Sequence, residues 1–147
     1  MKFIFFSITE HPWGREMLSQ LIDSGLVPSL IIEENSEGGK TEREKFEFRL
    51  GSNPLPPTMR SQIEKYNIPF VEVPVHNDEH CIEHIEKVGP DLIVFGGTRI
   101  IRGEILEYGG KRGGVLNSHP GLLPECRGSA SPAWSVHEGI KIGSSCH

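Results

Sequence analysis

Asn117 and His119 stand two residues apart at the end of an apolar run, "GGVLNSH" (113–119), and "PGLLPECRG" follows them. If the run is a strand, that spacing turns both side chains to the same side. An asparagine amide donates hydrogen bonds to an oxygen that gains negative charge, and an imidazole takes up and releases a proton near neutral pH. Together they suit the attack of an amine on a carbonyl carbon, with a donor for the oxyanion and a base for the nucleophile. No Ser or Cys nucleophile is needed when the substrate brings its own amine. Ser118 falls on the opposite side, and nothing around Cys126 marks it as activated. The same pair also suits a plain cap on a strand-to-loop turn, and the residues alone leave both readings open.

Three other clusters compete with it. "HCIEH" (80–84) fits the inverted zinc-protease spacing H-x-x-E-H, with His80 and His84 one helical turn apart. Its surroundings favour an ordinary charged helix, so no metal is expected. "GGKRGG" (109–114) has the composition of an anion cradle, but reads better as a tight connection before a strand. Arg127 serves equally to bind an anion or to tie its loop to a carbonyl. No G-x-G-x-x-G follows the first apolar run, so a dinucleotide fingerprint is missing.

The elements that must position Asn117 and His119 follow from the apolar pattern. Strands are expected at 2–8, 27–34, 69–75, 90–97, 113–119 and 141–147. Helices are expected at 13–25, 56–68, 77–89 and 129–139, with a turn and a short helix over 98–110. Residues 35–50 read as a mobile surface loop with at most one helical turn. Phe3, Phe5, Phe6, residues 92–95 and Trp134 are assigned to the core. The alternation predicts an α/β fold: an open, mostly parallel sheet with helices on both faces. In such sheets ligands bind beyond the carboxyl ends of strands, which points to Gly96–Ile101 and Asn117–Gly128.

With 147 residues and 24% charged residues, one soluble domain spanning 1–147 is expected. There is no apolar run near the length of a membrane span, and the amino-terminal run reads as a strand rather than a signal peptide. Three cysteines in no paired spacing suggest a reducing, cytoplasmic setting. Residues 1–89 carry a net charge of −6 and residues 90–147 carry +1. That balance gives no electrostatic case for a nucleic-acid partner.

The stretch "GVLNSHPGLLPECRGSASPAWSVHEGIKIGSSCH" resembles the core of the folate-dependent formyltransferases. That family includes glycinamide ribonucleotide, methionyl-tRNA and amino-sugar formyltransferases. The shared pattern is Asn-x-His, an L-L-P turn, Arg-Gly, a helix ending in Gly, and a G-x-[TS]-x-H strand. "FGGTRII" upstream is similar to the family's loop after the preceding strand. The resemblance implies a Rossmann-like domain, with 10-formyltetrahydrofolate as co-substrate and an amine as acceptor. It implies that Asn117 stabilises the developing oxyanion and that His119 is the general acid and base. It places Gly121, Leu122, Leu123 and Pro124 in the turn beside the folate. It gives Arg99, Ile100 and Ile101 to the segment whose backbone holds the pteridine. The family's third catalytic residue, an aspartate, belongs to a loop beyond His147. The expectation is therefore a piece or minimal form of the catalytic domain, with a folate-binding module lacking turnover as the alternative. An open strand edge at the C-terminus would favour a homodimer.

For the acceptor, "TEHPWG" after the first strand departs from the phosphate loop of the glycinamide ribonucleotide enzymes. Residues 33–50 hold six Glu against four Lys and Arg, which speaks against RNA. Elimination leaves a small-molecule amine, most simply a nucleotide-linked amino sugar.

Overall fold

In the computed structural model, which describes residues 1–147, the chain divides into two units, Met1–Val115 and Leu116–His147. The first unit is built on β1 (Phe3–Ile8), every residue of which is buried. β1 pairs in parallel with β2 (Leu30–Glu34) on one side and β4 (Leu92–Phe95) on the other. β2 in turn pairs in parallel with β3 (Phe70–Val73), giving the order β3-β2-β1-β4.

The period of two sorts the apolar residues into two cores. Ile4, Phe6, Leu30, Ile32, Ile93 and Phe95 pack with Cys81 and Ile85 of α4 (Glu79–Val88) and Ile105 of α5 (Glu104–Gly110). Phe3, Phe5, Ile31 and Val94 pack with Leu18 and Ile22 of α1 (Pro12–Asp23) and Met59 and Ile63 of α3 (Met59–Tyr66). Helices thus cover both faces of a parallel sheet, which is the Rossmann-like α/β class expected from the sequence. Close approach of α1 to the sheet depends on glycine. A Cβ at Gly14 would lie 2.1 Å from Ser7 Oγ, and one at Gly96 would lie 2.0 Å from the Phe5 ring.

Two expectations need correction here, and a third holds. Residues 35–50 are not a loop: α2 (Glu37–Leu50) is a helix of 14 residues. Ser36 caps it, its Oγ accepting from Gly39 N at 2.9 Å. Lys45 pairs with Glu42 at 2.9 Å and Arg43 with Glu47 at 3.9 Å. Such a cap contributes about 1 kcal/mol and each exposed pair a few tenths. Only Gly39 of this helix is buried, so the sequence carries no apolar stripe to announce it. The helix expected at 56–68 begins at Met59, because the prolines precede the cap: Thr58 Oγ1 accepts from Ser61 N at 3.1 Å. The "GGKRGG" stretch is a connection, as favoured. Gly113 N donates to Asp91 O (2.7 Å) and Gly114 N to Gly109 O (3.0 Å), so these amides face the chain itself.

The second unit is small. β5 (Val115–His119) pairs antiparallel with β6 (Ser145–Cys146), matching Ser118 to Cys146 and His119 to Ser145. The strand expected over 141–147 shrinks to those two residues. α6 (Ser131–His137) buries Ser131 and Ser135, one turn apart. That row of small residues is its inward face. Trp134 is therefore not core but 54% exposed, its ring 5.7 Å from that of His137. No helix of the chain is long and apolar enough to cross a membrane.

Candidate functional site

β5 delivers Asn117 and His119, both half-buried, on one side of the strand. Asn117 is locked to His147 through the backbone, N to O at 2.7 Å and O to N at 3.0 Å. Its side chain joins in, with Nδ2 donating to His147 Nε2 at 3.0 Å. One amide hydrogen is used there; the other is left for a second acceptor. The His147 ring lies 6.5 Å from the ring of His119.

His119 has two partners on one nitrogen. Its Nε2 lies 2.8 Å from Cys126 O and 3.2 Å from Ser131 Oγ. A carbonyl only accepts, so Nε2 carries the hydrogen. Ser131 Oγ donates to Gly128 O at 2.7 Å, which leaves it an acceptor toward His119. The neutral ring then presents its lone pair at Nδ1. The close fit of the ring again rests on a glycine. A Cβ at Gly121 would fall 2.7 Å from Cys126 O and 3.0 Å from His119 Nε2.

The turn expected beside the folate is tied at several points. Cys126 N donates to Leu122 O (2.7 Å), and the Cys126 thiol to Ser131 O (3.2 Å). Leu123 N donates to Ser145 Oγ at 3.0 Å, and the Leu123–Pro124 peptide is cis. Gly121 is buried, Leu122 and Leu123 are half-buried and Pro124 is exposed. Arg127 takes the structural one of its two readings, Nε donating to Pro124 O at 3.1 Å. Sequence reasoning assigned no role to Ser131 or His147, and only the strand motif quoted for the family marked the latter.

Arg99, Ile100 and Ile101 belong to the first unit, in the connection between β4 and α5. Ile100 is 69% exposed, while Ile101 leans on the core beside α4 and α5. Arg99 turns its guanidinium toward Glu34, Nη1 to Oε1 at 3.1 Å. A Cβ on Gly38 would come within 2.9 Å of that guanidinium. Glu34 is buried at the end of β2. Burial works against its charge, but Ser36, the His76 amide and Arg99 together hold its carboxyl below the ordinary range.

Burial also shifts Glu33, His11 and Cys81 of this unit from their ordinary values. Burial pushes the Glu33 carboxyl up to about 7, against the Glu10 amide and Arg60. Burial, with Arg49 beside it, pulls the His11 imidazole down to about 4. His11 Nδ1 accepts from Trp13 N at 3.2 Å and so caps α1. Cys81, deep in the core, is pushed up to about 12 by burial. His80 and His84 ride on α4, where His80 Nδ1 lies 3.7 Å from Glu83. No group of three His, Cys, Asp or Glu side chains gathers to hold a metal ion.

No family model matches the sequence. Curated relatives do. The chain is 32% identical over 139 residues to a methionyl-tRNA formyltransferase of Thermotoga maritima, covering 94% of the chain and 40% of that protein. It is 36% identical over 120 residues to the methionyl-tRNA formyltransferase of Clostridioides difficile, covering 77% and 37%. The chain thus spans about 40% of the length of the first of these relatives. Among solved structures, glycinamide ribonucleotide transformylase 1 from Symbiobacterium toebii superposes with a TM-score of 0.67 at 18% identity, over 100% of this chain and 65% of that one. A formyltetrahydrofolate deformylase from Pseudomonas syringae gives 0.66 at 19%, over 99% and 45%. At those identities the structural likeness speaks for the fold.

Proposed function

The chain belongs to the folate-dependent formyltransferase family, and on that premise we propose that it moves a formyl group from 10-formyltetrahydrofolate to a primary amine. The observation that carries this reading is the arrangement on β5. Asn117 keeps an amide hydrogen for an oxyanion, and His119 has its Nε2–H engaged, which leaves Nδ1 as the base.

In this reading the amine attacks the formyl carbon, and the carbonyl electrons move onto the formyl oxygen. Asn117 Nδ2 donates to that oxygen as its charge builds. His119 Nδ1 takes the proton that the amine must lose. The C–N bond to the folate then breaks, and the same proton passes to the departing nitrogen. The products are an N-formyl amine and tetrahydrofolate. Ser131 and the Cys126 carbonyl keep the imidazole in the tautomer this requires. In this reading the backbone of Arg99, Ile100 and Ile101 in the first unit holds the pteridine.

For the acceptor, the name shared by the relatives favours the amino group of methionyl-tRNA. The charge argument against RNA weakens in the folded chain. Glu33 and Glu34 are buried, and the remaining four Glu of α2 are matched by four Lys and Arg. A ribonucleotide phosphate after β1 is disfavoured by a different observation. Glu10 fills the N-terminus of α3, its carboxylate accepting from Met59 N at 2.9 Å and Arg60 N at 3.0 Å. The amino sugar expected from the sequence is the other acceptor to assay.

The test is formyl transfer from labelled 10-formyltetrahydrofolate, offered in parallel to methionyl-tRNA and to a nucleotide-linked amino sugar. Label in the N-formyl product of either supports the reading and names the acceptor. Folate binding without transfer to any amine contradicts it and leaves a binding module.

A further inference from the structure

The segment from Arg99 to Arg102 has no regular structure of its own. A loop needs external bonds to keep one backbone conformation. Its bonds come from Asn77, whose side chain reaches 23 residues along the sequence. Nδ2 donates to Ile100 O at 2.8 Å, and Oδ1 accepts from Arg102 N at 2.8 Å. The amide and carbonyl of Ile101 lie between these two bonds and take part in neither. Asn77 does not cap α4; Asp78 does, through His80 N at 2.9 Å.

The brace is anchored from behind. His76, the next residue, is fully buried. Its amide donates to Glu34 Oε2 at 3.1 Å, and its ring Nε2 donates to Ile32 O at 3.2 Å. The other oxygen of Glu34 takes Arg99 Nη1 at 3.1 Å and Ser36 Oγ at 2.6 Å. One buried carboxylate therefore fixes both the base of the brace and the start of the braced segment. Arg99 contributes Nη1 to this anchor and so ties the start of the segment to β2.

We infer that Asn77 is a positioning residue for the folate, setting the backbone of Arg99–Arg102 through Ile100 O and Arg102 N, with Glu34 and His76 holding Asn77 in place. The inference rests on the formyl-transfer reading, because it takes that segment to be where the pteridine binds. Asn77 is exposed, so its replacement spares the core.

The test uses the whole chain with Asn77→Ala, and with Asn77→Asp, which keeps the acceptor for Arg102 N and loses the donor to Ile100 O. Amide exchange at Arg102 reports the brace, and titration with tetrahydrofolate reports binding. Asn77→Ala is expected to speed exchange at Arg102, weaken tetrahydrofolate about tenfold, and raise KM for the formyl donor by the same factor with kcat within about twofold. Asn77→Asp is expected to fall between it and the wild type. Faster exchange with unchanged tetrahydrofolate affinity would overturn the inference and leave formyl transfer standing. A wild-type chain that binds no tetrahydrofolate would overturn both.

Discussion

The two units hold their shape by different means. Met1–Val115 has an all-buried central strand and apolar clusters on both faces of its sheet. In Leu116–His147 the one buried hydrophobic residue is Cys126, and the buried helix positions are two serines. Its order comes from hydrogen bonds that converge on a few atoms: Cys126 O, Ser131 Oγ and the Asn117–His147 pair. Apolar burial is non-directional and tolerates small shifts, whereas hydrogen bonds fix orientation. The unit with less core is the one that sets the angle of an imidazole, which a reacting group needs.

That contrast breaks first in the core. Phe5→Ala is expected to cost about 3–5 kcal/mol, read from urea unfolding, because a fully buried ring leaves a cavity on the α1 and α3 side. A loss below 1 kcal/mol would mean that the first unit does not rest on its core.

The second test separates buried charge from buried carbon. Glu33 is raised from 4.5 to about 7, so its contribution to stability is full below 4.5 and is lost as pH rises through about 7. Glu33→Gln removes that loss. The variant is expected to exceed the wild type by up to about 3 kcal/mol at pH 8, with the gain fading toward pH 4.5. His11 works in the opposite sense: lowered from 6.5 to about 4, it stabilises above 6.5 and loses that contribution as pH falls through about 4. Melting curves of Glu33→Gln and of His11→Asn, each against the wild type across pH 4–8, check the two signs.

The smallest effect on stability belongs to the second unit. Ser131→Ala is expected to cost about 1 kcal/mol, yet to alter the pH dependence of formyl transfer, because it removes one of the two groups that hold His119 Nε2. An unchanged pH profile would assign Ser131 to packing alone.

Much of this was legible in the sequence, for reasons that differ by region. The strands of the first unit announce themselves because buried parallel strands read as unbroken apolar runs. α2 was missed because a helix without an apolar stripe has no period to detect, and its cap and ion pairs are visible only once folded. Trp134 was misplaced because an aromatic residue on a helix suggests core, while here Ser131 and Ser135 face inward. Asn117 and His119 stood out by type and spacing. Asn77 did not, since next to Asp78 it looks like one more helix cap, and its bonds to Ile100 and Arg102 cross 23 and 25 residues.

The central claim is that Asn117 and His119 carry out formyl transfer, while the melting of the chain is governed by the apolar core of the first unit. Single-turnover formyl transfer by the wild type, Asn117→Ala and His119→Ala, with melting temperatures taken on the same samples, tests it directly. The account expects each variant to lose about 10²–10⁴-fold in rate while melting within a few degrees of the wild type. Variants that melt normally and transfer formyl at the wild-type rate would contradict it.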